Sequence, residues 1–127
     1  MQFRDHLPPD CPPLDADLSV MVVYYLVDTD PPTEKDFLSF RERRPDINVE
    51  PARTCEACGL SVFTDTLGTE LARKSSRSLR NKKLAKGCLS KDSGKIKNTP
   101  SQNTGDTHHT WWLNRNIDPC SLFNVLP

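Results

Sequence analysis

Apolar residues run almost unbroken from Leu18 to Val27, as Leu-Ser-Val-Met-Val-Val-Tyr-Tyr-Leu-Val. A β-branched and aromatic run of this kind is the pattern of a central strand covered on both faces. Asp28-Thr29-Asp30-Pro31-Pro32 ends it, because consecutive prolines cannot continue a ladder. The pattern then turns helical. Thr33 suits an N-cap, and Glu34 and Asp36 suit the positive first turn. Phe37, Leu38 and Phe40 form an apolar stripe. Arg41, Arg43 and Arg44 suit the negative end, and Pro45 is the stop.

Ile47 to Thr54 reads as loop, and Gly59 to Phe63 as a short strand. Asp65 or Thr66 can cap a second helix through Leu67, Leu71 and Ala72, extending toward Leu79. Leu84–Ser90 and Lys95–Asn98 flank Asp92-Ser93-Gly94, the pattern of a β-hairpin with a short glycine-containing loop. Thr107–Leu113 and Ser121–Leu126 read as two more strands. The sum is one α+β domain over residues 1–127, with about five strands in a mainly antiparallel sheet and two helices. Residues 1–17 and 101–106 are expected to be irregular.

Composition changes this picture only a little. A chain of 127 residues fits one domain. Hydrophobic content of 35% and eleven prolines point to a compact centre with long loops. No run approaches the roughly 18 apolar residues of a membrane helix. The N-terminal sequence lacks the basic start and apolar stretch of a signal peptide. A cytoplasmic protein without a membrane partner is expected. The five cysteines, Cys11, Cys55, Cys58, Cys88 and Cys120, are odd in number and are therefore expected as reduced thiols.

Charge matters more by segment than in total. The net charge is zero, but residues 1–52 carry five basic and eleven acidic side chains, and residues 53–99 carry eleven basic and four acidic. Either the two segments face each other in the fold, or the basic one offers a surface to phosphates. Arg80, Lys95 and Lys97 are candidate phosphate contacts. No aromatic residues interleave this basic stretch, as a single-strand binder would prefer.

The densest chemistry is His108-His109-Thr110-Trp111-Trp112, which holds both tryptophans and two of the three histidines. On a strand, His109, Trp111 and Leu113 share one face, and His108, Thr110 and Trp112 share the other. The set ending in leucine is the better core face. His108 and His109 are then candidate acid-base groups, with His108 on the open side. Thr110 and Trp112 are candidate ligand contacts, Trp112 by stacking worth about 1–3 kcal/mol. The alternative is a buried, merely hydrogen-bonded cluster.

Cys55-Glu56-Ala57-Cys58-Gly59 is half of a zinc site: two thiolates at that spacing can hold one tetrahedral ion. The missing ligands would come from among His108, His109, Cys88 and Cys120. No second Cys-x-x-Cys exists, and no phosphate-binding glycine loop or Gly-x-Ser-x-Gly elbow is present.

Four stretches resemble a family of small bacterial proteins. They are Tyr24-Tyr25-Leu26-Val27 with Pro31-Pro32-Thr33 and Asp36-Phe37, Ala57-Cys58-Gly59-Leu60-Ser61-Val62-Phe63, Gly94-Lys95-Ile96-Lys97-Asn98-Thr99, and His108-His109-Thr110-Trp111-Trp112. That resemblance brings no activity with it. In element order the chain is also loosely similar to ADP-ribosyltransferase-like toxin domains, small α+β folds whose first strand carries a polar NAD-binding residue. Arg or His usually stands there, where this strand offers Tyr24 and Tyr25.

Three functional expectations follow. The first is an enzyme acting on a nucleotide or nucleic acid, ADP-ribosyltransferase-like or nuclease-like. The second is a non-catalytic interaction module, stapled by zinc through Cys55 and Cys58. The third is an antitoxin or immunity-type protein whose acidic first 52 residues meet a basic protein partner.

Overall fold

The computed structural model describes all 127 residues. Its frame is one seven-stranded sheet in which every neighbouring pair is antiparallel. The strands are β1 (Asp17–Leu18), β2 (Met21–Val27), β3 (Leu60–Phe63), β4 (Lys83–Leu89), β5 (Gly94–Asn98), β6 (His108–Leu113) and β7 (Phe123–Val125). Their order across the sheet is β1-β5-β6-β3-β2-β4-β7. The α-helices are α1 (Phe40–Arg43), α2 (Thr54–Ala57) and α3 (Thr66–Ser75). The α+β class therefore holds, with more strands and helices than the periodicity predicts.

The apolar run forms β2, a central strand as expected, with β1 split from it at Ser19 and Val20. Cover on both faces is corrected for the first half of the run, where Leu18, Val20 and Val22 are exposed. The Ser19 hydroxyl donates to the Ser90 carbonyl at 2.9 Å, and its amide donates to Gly94 O at 3.2 Å. These bonds turn the chain from the sheet edge to its centre. The helix expected after Pro32 is in two pieces, a 3-10 turn over Glu34–Phe37 and then α1. Two competing caps explain the break. The Asp36 carboxylate accepts from the Thr33 and Asp28 amides at 2.9 and 2.7 Å. Ser39 and Glu42 form a reciprocal capping box three residues later. A residue that caps a new helix has extended dihedrals, so Ser39 cannot also continue an old one.

The expected hairpin is a correction. β4 pairs with β2 and β7, whereas β5 pairs with β1 and β6. Asp92-Ser93-Gly94 joins two halves of the sheet instead of two neighbours. The Ser93 carbonyl is captured by the Trp111 indole at 3.1 Å and the Asn114 amide at 3.1 Å. Gly94 sits at φ +139°, and a Cβ there would come within 2.1 Å of the Trp112 carbonyl. Only glycine lets the chain make this crossing.

One face of the sheet carries the main core. Trp111, Phe37, Phe123, Val23, Val27, Leu60, Val62 and Ile96 are buried together. The rings form a chain: Trp111 to Phe123 at 5.9 Å, Phe123 to Phe37 at 5.3 Å, and Phe37 to Tyr25 at 5.4 Å. Aromatic pairs at such spacings add about 0.5–1.5 kcal/mol each beyond their burial. On the opposite face α3, capped by Asp65, lays Ala72 over Leu26 and Phe63.

The first 17 residues, expected to be irregular, have little regular structure but are tied down. Arg4 donates to the Phe37 carbonyl and the Glu42 carboxylate, Phe3 bridges Asn114, and Cys11 is disulfide-bonded to Cys55. The expectation of five reduced thiols is thereby corrected for two of them. Sequence spacing hides this pair, because 44 residues separate the partners. The acidic and basic segments meet at two ion pairs, Lys82 with Asp28 and Lys97 with Asp15. No helix is long and apolar enough to cross a membrane.

Candidate active site

β2 and β3 pair at a single rung, Tyr24 opposite Phe63, although β2 pairs with β4 along its whole length. Past that rung the two strands part. A cleft of about 1020 Å3 opens beside the gap. Its floor comes from the strands and includes Leu26, Ser61, His108 and Thr110. Its walls come from the segments around α1 and α2, from residues 76–82, and from the loop that begins at Thr99.

The floor holds a continuous hydrogen-bonded line. Ser61 Oγ lies 2.9 Å from His108 Nε2. His108 Nδ1 lies 2.7 Å from the Thr99 carbonyl and 2.9 Å from the Thr99 hydroxyl. The Thr99 hydroxyl continues to Thr110 Oγ1 at 2.8 Å. The chemistry of these partners fixes the tautomer. A carbonyl oxygen only accepts, so Nδ1 carries the proton and donates it. Nε2 is then a lone-pair acceptor, and the Ser61 hydroxyl donates to it.

Burial pushes the His108 imidazole below its ordinary value of 6.5. The Thr99 carbonyl and the nearby Glu56 carboxylate pull the other way, and His109 adds to the lowering. His108 is therefore neutral at pH 7 and available as a base. Its edge packs on Phe63 at 5.4 Å between ring centroids, which holds the ring plane. Ser61 is the exposed residue of an otherwise buried strand, in the middle of the sheet. It faces the cleft, not bulk surface.

The other expected residues scatter. The face assignment on β6 holds for Trp111 and Leu113, which lie in the main core. The open side expected for His108 and Thr110 is corrected: they are 9% and 3% exposed, closed over by the cleft's other groups. Trp112 was expected as an open stacking plate, and this is corrected. It is 1% exposed, and its indole donates to the Cys55 carbonyl at 2.8 Å. Gly59 permits this, since a Cβ there would sit 2.5 Å from Thr110 Cγ2 and 3.1 Å from the indole nitrogen. His109 points to the core side and meets the Thr107 carbonyl at 2.8 Å, away from His108. Lys95 pairs in register with Trp112 and Leu18 outside the cleft, and Lys97 is taken up by Asp15 at 2.9 Å. Arg80 lines a separate small dip with Glu70, Arg73 and Lys74.

The Cys-x-x-Cys also changes meaning. Cys55 is bonded to Cys11, so the knuckle does not present two free thiolates. Cys58 is a buried thiol pushed upward in pKa by burial, directed at the His6 carbonyl. No group of three or more His, Cys, Asp or Glu side chains is placed to share a metal ion.

Sequence reasoning missed Ser61 and Thr99. The only signal for Ser61 was a hydroxyl at the outward position of a buried strand. Thr99 acts through its main-chain carbonyl, which no residue type announces, and through its hydroxyl. It also missed Lys35 and Arg53 and read Arg43 only as a helix-end cation; all three line the cleft and make no ion pair. Of the three acidic groups there, Glu56 makes no ion pair, and the other two are occupied. Asp28 holds Lys82, and Asp36 is consumed by backbone amides and the Thr29 hydroxyl. No protein-family model, curated protein or solved structure matches the chain.

Proposed function

We propose that the protein is an enzyme acting on a phosphate-bearing nucleotide or nucleic acid held in this cleft, with His108 as its acid-base group. The observation that carries the reading is the line from Ser61 through His108 to the Thr99 carbonyl. It presents a neutral, orientation-locked imidazole to a cleft roomy enough for a nucleotide. Lys35, Arg43 and Arg53 supply the unpaired positive charge that phosphates need, in place of Lys95, Lys97 and Arg80. ADP-ribosyl transfer and phosphodiester cleavage are two reactions on such substrates, and in either a neutral imidazole can take the proton of the attacking group.

The test is incubation of the purified protein with NAD and, separately, with a short RNA, with products separated by chromatography. His108→Gln keeps the ring's volume and one hydrogen bond but removes the base. We expect turnover to fall by about 10²–10⁴. Equal product from wild type and His108→Gln sinks the reading.

A non-catalytic interaction module is the second reading. It is favoured by Leu18, Val20 and Val22, which lie exposed along the chain where it passes from β1 into β2. Cys11–Cys55 would then be the staple that zinc was expected to provide. A partner captured equally by wild type and His108→Gln, with no turnover of either substrate, supports it.

A further inference from the structure

A base that receives a hydrogen bond from a serine hydroxyl does more than wait for substrate. It polarises that hydroxyl. We infer that Ser61 is a nucleophile that attacks phosphorus and carries a transient phosphoryl or nucleotidyl group. This rests on the reading of the cleft as a nucleotide site and names the atom that reacts there.

Four observations converge. Ser61 Oγ is 2.9 Å from the unprotonated Nε2 of His108, within reach for proton transfer. The far side of the imidazole is held by the Thr99 carbonyl at 2.7 Å, the orienting third partner that such pairs require. Ser61 is exposed into the cleft from a central strand, so substrate can reach it. It sits on regular sheet next to buried Leu60 and Val62, which keeps its position fixed. A carboxylate in the third position would stabilise imidazolium; a carbonyl mainly orients. The pair thus suits a leaving group that departs as a stable anion and needs no proton from His108.

The step balances without any further reagent than water. The Ser61 Oγ–P bond forms as the P–O bond to the leaving group breaks. The serine proton moves to His108 Nε2, and the leaving oxygen, in line with Oγ on the far side of phosphorus, departs as an anion that takes any proton from solvent. Water then attacks phosphorus from that far side as the Oγ–P bond breaks; His108 returns its proton to Ser61 Oγ, and the proton of the water goes to solvent. Arg43 and Arg53, on the cleft wall, are the cations available to the phosphoryl oxygens.

The test uses a fluorophosphonate, an electrophilic phosphorus compound with fluoride as leaving group. The intact chain is treated, its mass measured, and the adduct located by peptide mapping. One adduct on Ser61 is expected, at a rate reduced about 100-fold in His108→Gln and absent in Ser61→Ala. Circular dichroism shows whether each variant is folded. Ser61→Cys is the second variant: a thiol at the same place should be alkylated by iodoacetamide faster than Cys88, which is exposed. No adduct on folded wild type, an adduct elsewhere, or equal labelling of His108→Gln overturns the inference. The two proposals fail separately. Nucleotide turnover that survives Ser61→Ala but not His108→Gln removes the nucleophile and keeps the base. Labelling of Ser61 with no nucleotide turnover keeps the nucleophile and removes the nucleotide reading.

Discussion

His108 and His109 are neighbours in the chain and opposites in the molecule. Both sit on β6, and both have one ring nitrogen on a backbone carbonyl. His109 faces the core side and stops there. His108 faces the cleft, and its second nitrogen meets a serine hydroxyl. The same split runs along the strand. Trp111 is core, whereas Thr110, on the other face, joins the polar line. Pleat alone separates the residues that hold the sheet together from those that can do chemistry. What it cannot do is rank residues on one face: Trp112 shares the face of His108 and is sealed under the segment at Cys55.

The contrast can be broken from either side. The largest effect should come from the core face. Trp111 is fully buried among Val62, Ile96 and Phe123, so Trp111→Ala should cost about 3–5 kcal/mol in a urea titration. A loss below about 1 kcal/mol means that this face is not the keystone it looks. Next is the clamp over Trp112. Cys55→Ser removes the bond closing 44 residues and should cost about 2–4 kcal/mol, read as a lower Tm that reductant no longer shifts. A wild-type Tm that ignores reductant contradicts it.

A smaller effect follows from pH. His108 has a folded pKa held down by burial, so below 6.5 the unfolded chain binds a proton that the folded one refuses. Stability should therefore fall as pH drops through 6.5 toward the folded value. His108→Gln should flatten that part of the curve. An unchanged slope in the variant assigns the acid loss to other groups. The smallest effect belongs to His109→Asn, which trades one short carbonyl contact at a half-buried position. Stability should move by less than about 0.5 kcal/mol. If it moves more, or if turnover drops with it, the two faces are not separable.

Much of the frame was legible because the strong signals were local. The run ending at Val27, the Asp65 cap of α3 and the alternation on β6 all name their own structure. Partners were less legible. Leu84–Ser90 and Lys95–Asn98 read as a hairpin because sequence shows the turn but not the competing edges of β2 and β6. The Cys11–Cys55 bond and the Lys97–Asp15 pair join segments that no window contains. At the site, His108 was found by residue type. Ser61 needed the β3–β6 register, which sets it diagonally from His108. Trp112 misled because large, flat and amphipathic describes a buried plate as well as an open one.

The lone rung between β2 and β3 reaches beyond the cleft it opens. On one side stand β2, β4 and β7; on the other stand β1, β5, β6 and β3. Within each group the ladders are continuous, and between them one residue pair bears the link. Backbone bonding therefore resists flexing between the two groups at one pair only, and the core shared from Trp111 to Phe123 supplies the rest of the link. Amide exchange should then resolve them as two cooperative units, with the Tyr24 and Phe63 amides opening before those of either interior. Whatever occupies the gap would brace the two groups, so a bound ligand should announce itself as slower exchange in strands it never touches.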